Sequence, residues 1–198
     1  MPLESALALL GILLAATWTP GPNNAMLSSS GARFGYRRTL PHILGVATGF
    51  PLMLFAVALG LGEVFERSEL LRTIMTYVGA GLMAWLAFKV ATARMPGKAA
   101  VVGKPFKYWQ AAAFQWINPK AWAMVIGVTG QFVTGENKLT EALLATPIAV
   151  FCGITSANGW ALLGVWLQRF LSTELRFRVF SLVMGGLIAV GVVFLLLK

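Results

Sequence analysis

The sequence predicts an all-α integral membrane protein: six transmembrane helices forming two inverted three-helix repeats, with helices one and four broken. Three observations carry this expectation. The 198-residue chain is 58% apolar with a mean hydropathy of +0.75, which places nearly all of it in lipid rather than around a soluble core. Six stretches, 3–27, 40–61, 73–93, 109–133, 142–167 and 179–197, reach the ~20 residues that a helix needs to cross hydrocarbon. Two of them carry proline interruptions about half a chain apart, Thr19-Pro20-Gly21-Pro22-Asn23-Asn24 and Ile117-Asn118-Pro119-Lys120.

The first stretch has Glu4 and no Lys or Arg before it, so it lacks the basic leader of a cleavable signal peptide and is expected to remain as a span. Its break, like the one in the fourth stretch, follows from proline chemistry. Proline removes a backbone donor and clashes with the preceding turn, leaving carbonyls and amides without intrahelical partners. Each such group costs several kcal/mol in hydrocarbon, so a break at membrane depth persists only where protein or a polar cavity satisfies it. Pro20 lies 13 residues before Arg33, and Asn118 lies 11 residues after Lys107. At 1.5 Å per residue both breaks fall roughly 16 to 20 Å from the same membrane boundary, deep enough to meet near the midplane.

The second stretch carries Gly45 and Gly49 at GxxxG spacing, and the third carries Gly79 and Gly81; such residues let helices approach closely, within one subunit or between two. Pro51 is expected to kink the second helix, whereas Pro147, early in the fifth, is better tolerated. Residues 94–107, with Pro96, Gly97, Gly103 and Pro105 among lysines, read as a linker joining repeat one (1–95) to repeat two (106–198) within a single transmembrane domain, residues 1–198. Three spans per repeat force the second to enter the membrane from the opposite side, and matching breaks in inverted repeats point to a transporter with its site at the repeat interface.

A net charge of +9 might suggest nucleic acid, but the charges sit in alternate loops. Arg33, Arg37 and Arg38 follow the first span; Lys89, Arg94, Lys98, Lys104 and Lys107 flank the third connection; Arg169, Arg176 and Arg178 lie in the fifth. The other loops mix Arg67 and Arg72 with Glu63, Glu66 and Glu69, and Lys138 with Glu136 and Glu141. By the positive-inside rule the basic loops face the cytoplasm and both termini face the periplasm. Lipid is the expected surrounding partner, nucleic acid is not, and a homo-oligomer stays open.

The chain has no Asp, and every Glu lies near a membrane boundary, which removes paired-carboxylate catalysis and acidic ligands for a buried metal. One His and one Cys make a zinc site or a Cys/His nucleophile an unsuitable reading, and Ser28-Ser29-Ser30-Gly31 has no base in sight. No enzyme, cofactor or metal site is expected. Cys152 reads as a small packed residue.

Candidate binding residues gather at the breaks. Lys120 is the one ionisable side chain deep within a span, and two roles are open to it: bracing freed carbonyls, or meeting an anionic substrate group. Asn23 and Asn24 are placed to cap the half-helix that follows the first break, whose amides suit a carboxylate. Gly21, the carbonyls left by Pro20, Pro22 and Pro119, and Asn118 complete a frame that suits a small zwitterion such as an amino acid. Gln115, three residues before Asn118, is expected to line the cavity. Asn158, with Thr155 and Ser156, is either a site residue or interhelical glue. His42, near a boundary, can titrate in the physiological range or be structural. Tyr108, Trp109 and Trp166 read as interfacial anchors. A channel-like pore and a non-transporting scaffold are the rival readings.

These residues carry a resemblance. Thr19-Pro20-Gly21-Pro22-Asn23-Asn24, Gly31-Ala32-Arg33-Phe34-Gly35-Tyr36-Arg37-Arg38, Gly45, Gly49 and Asn118-Pro119-Lys120-Ala121 resemble the LysE/RhtB group of bacterial amino-acid exporters across essentially the whole chain. Asn158-Gly159-Trp160-Ala161-Leu162 with Gln168-Arg169 is similar to the cysteine and O-acetylserine branch of that group. The resemblance implies export of amino acids or close derivatives across the bacterial inner membrane, driven by the proton motive force. It leaves the proton carrier open among Lys120, the substrate's own groups and His42.

Overall fold

A computed structural model describes residues 1–93, 95, 104–135 and 137–197, and within these gives no placement for the side chains of Phe65 and Glu66. Most of the expected linker, including Arg94, Pro96, Gly97, Lys98 and Gly103, lies outside the described residues, as does Glu136. The described chain is helical: α1 (Leu3–Trp18), α2 (Pro22–Phe34), α3 (Tyr36–Ala56), α4 (Gly62–Arg67), α5 (Glu69–Ala91), α6 (Tyr108–Phe114), α7 (Pro119–Phe132), α8 (Lys138–Gln168) and α9 (Glu174–Leu196).

Among the described residues, four segments are long and apolar enough to cross a membrane by themselves: Tyr36–Val64, Glu69–Ala91, Lys138–Gln168 and Glu174–Leu196. Leu3–Trp18 and Pro22–Phe34 are bent by 57° at the first break and make a fifth if taken as one span. The stretch expected at 109–133 is divided further, into α6, a tight turn at Gln115–Ile117, and α7. Neither piece alone has the length to cross. The first break therefore bends the chain between α1 and α2, whereas the second divides the fourth apolar stretch into two short helices.

α3 runs without a break through both Pro41 and Pro51 to Ala56, and the backbone leaves helical geometry in the wide turn Val57–Leu61, where Gly60 takes φ 117°. A positive φ is open to glycine at little cost, so the backbone distorts where the side chain is missing.

Small residues set the packing. α8 lies against α1, α2 and α3, α5 pairs with α9, and α6 packs on α3. Gly31 of α2 faces the Ala161 carbonyl, and Gly164 of α8 faces that of Ser28, so α2 and α8 meet backbone to backbone. The Gly45/Gly49 pair does the same within the chain: a Cβ at Gly49 would stand 2.7 Å from Ala112 Cα on α6. Leu70, Tyr77 and Phe88 on α5, and Val183, Val190 and Phe194 on α9, are exposed and form apolar outer faces suited to acyl chains. Tyr108, Trp109 and Trp166 are also exposed.

Two of the buried clusters join α1 and α2 to the rest of the bundle. One joins Leu9 and Leu13 of α1 to Phe50, Val125, Ala149 and Cys152. The other joins Leu27 of α2 to Ile43, Val46, Ala111, Ala157 and Ala161.

Candidate functional site

A helix leaves its last four carbonyls without intrahelical donors, and three of those at the end of α1 have identified donors. Ala15 O accepts from Thr19 N at 3.1 Å, and Ala16 O from Thr19 Oγ1 at 2.7 Å. Thr17 O accepts two bonds from distant helices, one from Asn24 Nδ2 at 2.8 Å and one from Ser156 Oγ at 2.7 Å. Beyond the helix, Thr19 O also takes two: Asn24 Nδ2 at 2.8 Å and Lys120 Nζ at 2.6 Å. Lys120 Nζ reaches Thr19 Oγ1 at 2.8 Å and Pro20 O at 3.4 Å as well. The break is held by one side chain from each of α2, α7 and α8.

This corrects the expected role of the asparagines. Asn23 and Asn24 do not cap α2; the cap position falls on Gly21, Pro22 takes the first helical place, and Ala25 N makes the first helical bond, to Gly21 O at 2.9 Å. From the first turn their side chains point away from their own amides. Asn24 reaches back to α1, and Asn23 reaches across to the second break, donating to Gln115 Oε1 at 2.8 Å while Gln115 Nε2 returns a longer bond of 3.4 Å. Gln115 Nε2 also donates to Ala111 O at 2.9 Å. The amides of Asn23 and Asn24 are left as first-turn donors with no carbonyl one turn behind them.

The second break is capped in the usual manner. Asn118 Oδ1 accepts from Lys120 N at 3.2 Å, Pro119 occupies the first helical position, and Trp122 Nε1 donates to Trp116 O at 2.7 Å. The two breaks are thus adjacent, joined by the Asn23–Gln115 pair and by Lys120 on Thr19 and Pro20.

Between them lies a cavity of ≈ 40 Å³ whose wall includes Gly21, Asn23, Asn24, Gln115, Asn118 and Lys120. Apolar Val46, Phe50 and Met124 close its other sides, with Thr17, Gly153 and Ser156. Pro20, Pro22 and Pro119 shape the backbone around it without lining it.

Asn158 does not line the cavity. Its neighbour Ala157 does, and one residue along a helix turns the side chain ~100°. Asn158 Oδ1 instead accepts from Tyr36 OH at 2.6 Å, and its Nδ2 donates to Ile154 O at 2.8 Å, tying α8 to the start of α3. His42 is neither solvated nor superficial: it is 1% exposed, with Nδ1 3.1 Å from Ser30 Oγ and its ring 5.2 Å from that of Phe106. Cys152 is buried and unpaired, as a small packed residue. Among the described residues no cluster of His, Cys, Asp or Glu could hold a metal.

Paired helix breaks meeting at a polar seam are a feature of transporters, and the comparison with known families decides the assignment. The profile of the LysE type translocators matches residues 14–198. The chain belongs to this family. This translocator is accordingly a transporter and not an enzyme, and the resemblance seen in its break motifs is confirmed. It is 28% identical over 171 residues to the cysteine/O-acetylserine efflux protein of Shigella flexneri, covering 80% of this chain and 85% of the relative. It is likewise 28% identical over 170 residues to that of Salmonella typhimurium, with 80% and 85% covered, and 27% over 165 residues to that of Klebsiella pneumoniae, with 82% and 83% covered. No solved structure matches it.

Proposed function

We propose that this translocator exports amino acids or small amino-acid derivatives from the cytoplasm to the periplasm across the bacterial inner membrane, driven by the proton motive force. The observation that carries this reading is the meeting of two helix breaks at one polar cavity, bonded to each other through Asn23 and Gln115. The relatives named for cysteine and O-acetylserine efflux support the solute class and the direction.

In this reading α1 with α2 forms the first of six spans, and α6 with α7 the fourth. The two halves are inverted repeats, and both termini lie in the periplasm. The first-turn amides of α2, at Asn23 and Asn24, receive the substrate carboxylate at the positive end of the helix dipole. The freed carbonyls of α1 receive its amino group, and Asn118 and Gln115 hold the frame between the halves. Pro20, Gly21, Pro22 and Pro119 serve by keeping the backbone open. Asn158, bonded to Tyr36, braces α8 on α3 rather than meeting the solute. Loading then proceeds by rocking of one repeat against the other, as alternating access demands.

Counterflow in proteoliposomes tests the reading. Labelled O-acetyl-L-serine outside should accumulate transiently when unlabelled L-cysteine or O-acetyl-L-serine is loaded inside, and an imposed proton gradient should drive net movement. A pore would equilibrate the label without trans-stimulation, and a scaffold would take up none; either result removes the carrier reading.

A further inference from the structure

Lys120 stands where a substrate's amino group would stand. An ammonium has three protons to give, and Nζ here has three acceptors, all uncharged oxygens: Thr19 O, Thr19 Oγ1 and Pro20 O. They lie at the carboxyl end of α1, where a helix dipole favours a cation. The stem of Lys120 crosses Gly21, where an added Cβ would sit 2.8 Å from Lys120 Cδ. Thr17 O, the freed carbonyl of α1 whose residue lines the cavity, is already taken by Asn24 and Ser156. The carbonyls of Thr19 and Pro20, next along the break, are held by Lys120.

The geometry points to an exchange of ammonium groups: on loading, the α-ammonium of the substrate replaces Lys120 on the carbonyls of Thr19 and Pro20, and the released Lys120 turns to the substrate carboxylate. The inference rests on the amino-acid reading above and adds the role of one residue and one chemical requirement. The empty carrier keeps its broken helix satisfied without solute, because the tethered cation stands in for the solute's own. The loaded carrier keeps the same number of charges in the cavity wall, since a zwitterion brings one of each sign. A solute without a free ammonium cannot complete the exchange, so the swap sets specificity for free α-amino acids over N-acylated ones.

Two measurements test it. In wild-type proteoliposomes, O-acetyl-L-serine and N-acetyl-L-serine carry the same atoms with the acetyl group moved from oxygen to nitrogen. Only the first should trans-stimulate exchange, with a discrimination on the order of a hundredfold, since the site's carbonyls stay unpaired with the second. In Lys120→Ala, the vacated carbonyls should accept n-propylammonium on the order of tenfold more tightly than in the wild type, read by thermal shift of the purified protein. Exchange of both isomers at comparable rates, or equal n-propylammonium affinity in variant and wild type, overturns the exchange while leaving amino-acid export intact. Should Lys120→Ala fail to fold, the isomer comparison decides alone. If the wild type exchanges neither isomer nor L-cysteine, the export reading itself falls, and the exchange with it.

Discussion

Asn24→Asp is expected to abolish exchange and to destabilise the protein more than Asn24→Ala. Asn24 is 6% exposed, and its amide donates to Thr17 O and Thr19 O at 2.8 Å each. Removing the side chain to Cβ loses two hydrogen bonds, but Ser156 and Lys120 still donate to the same carbonyls. The cost of Asn24→Ala is then about 2 kcal/mol. The carboxylate of Asn24→Asp has the same shape and the opposite polarity, setting a charged acceptor against two carbonyl oxygens in a site shielded from water. That cost is about 3–5 kcal/mol. Thermal unfolding in detergent and counterflow of O-acetyl-L-serine measure the two effects. An Asp variant as stable and active as the wild type would show that Asn24 does not hold the end of α1.

The second large effect is expected from the bond that crosses between the breaks. Asn23 and Gln115 are 92 positions apart in sequence and 2.8 Å apart at the cavity. Asn23→Ala leaves Gln115 Oε1 without its donor, although Gln115 Nε2 keeps Ala111 O, and Gln115→Ala leaves Asn23 Nδ2 without its acceptor; each costs about 1–3 kcal/mol. Exchange should fall by about tenfold in each single variant, since the pair fixes one break against the other. Replacing both removes two mismatched groups together, so the double variant should be no less stable than the worse single. The resulting coupling is about 1–2 kcal/mol. Stabilities that simply add across the cycle would mean that the two halves do not share this contact in the membrane.

Much of this arrangement was legible in the sequence because it is set locally. Hydropathy runs place helices, and Pro20, Pro22 and Pro119 interrupt them whatever surrounds them. The charge alternation, the missing Asp and the break motifs narrowed the chain to a transporter and to its family. What was not legible depends on which turn of a helix a residue occupies or on what folds over it. Asn23 and Asn24 suggest caps by residue type, but Gly21 takes the cap position and frees both for long-range contacts. Asn158 and Ala157 differ by one position, and that rotation decides which faces the cavity. His42 lies near the start of its helix and still is buried, because Phe106, from the segment before α6, lies beside it. Thr17 gives no signal of its own, since its contribution is a backbone carbonyl that Asn24 and Ser156 find only in three dimensions. Of the two roles open to Lys120, the structure displays the bracing one.

Substrate-protected labelling of the cavity wall tests most directly whether the paired breaks enclose the solute. Ala121 is 2% exposed and lines the cavity, whereas Val183 is 52% exposed on the outer face of α9. With Cys152→Ser removing the native thiol, Ala121→Cys should react with a small methanethiosulfonate during turnover, and saturating O-acetyl-L-serine should slow that reaction by about tenfold or more. Val183→Cys should show no such protection. Labelling at position 121 that stays unchanged while the same protein exchanges O-acetyl-L-serine would place the solute elsewhere and contradict the site.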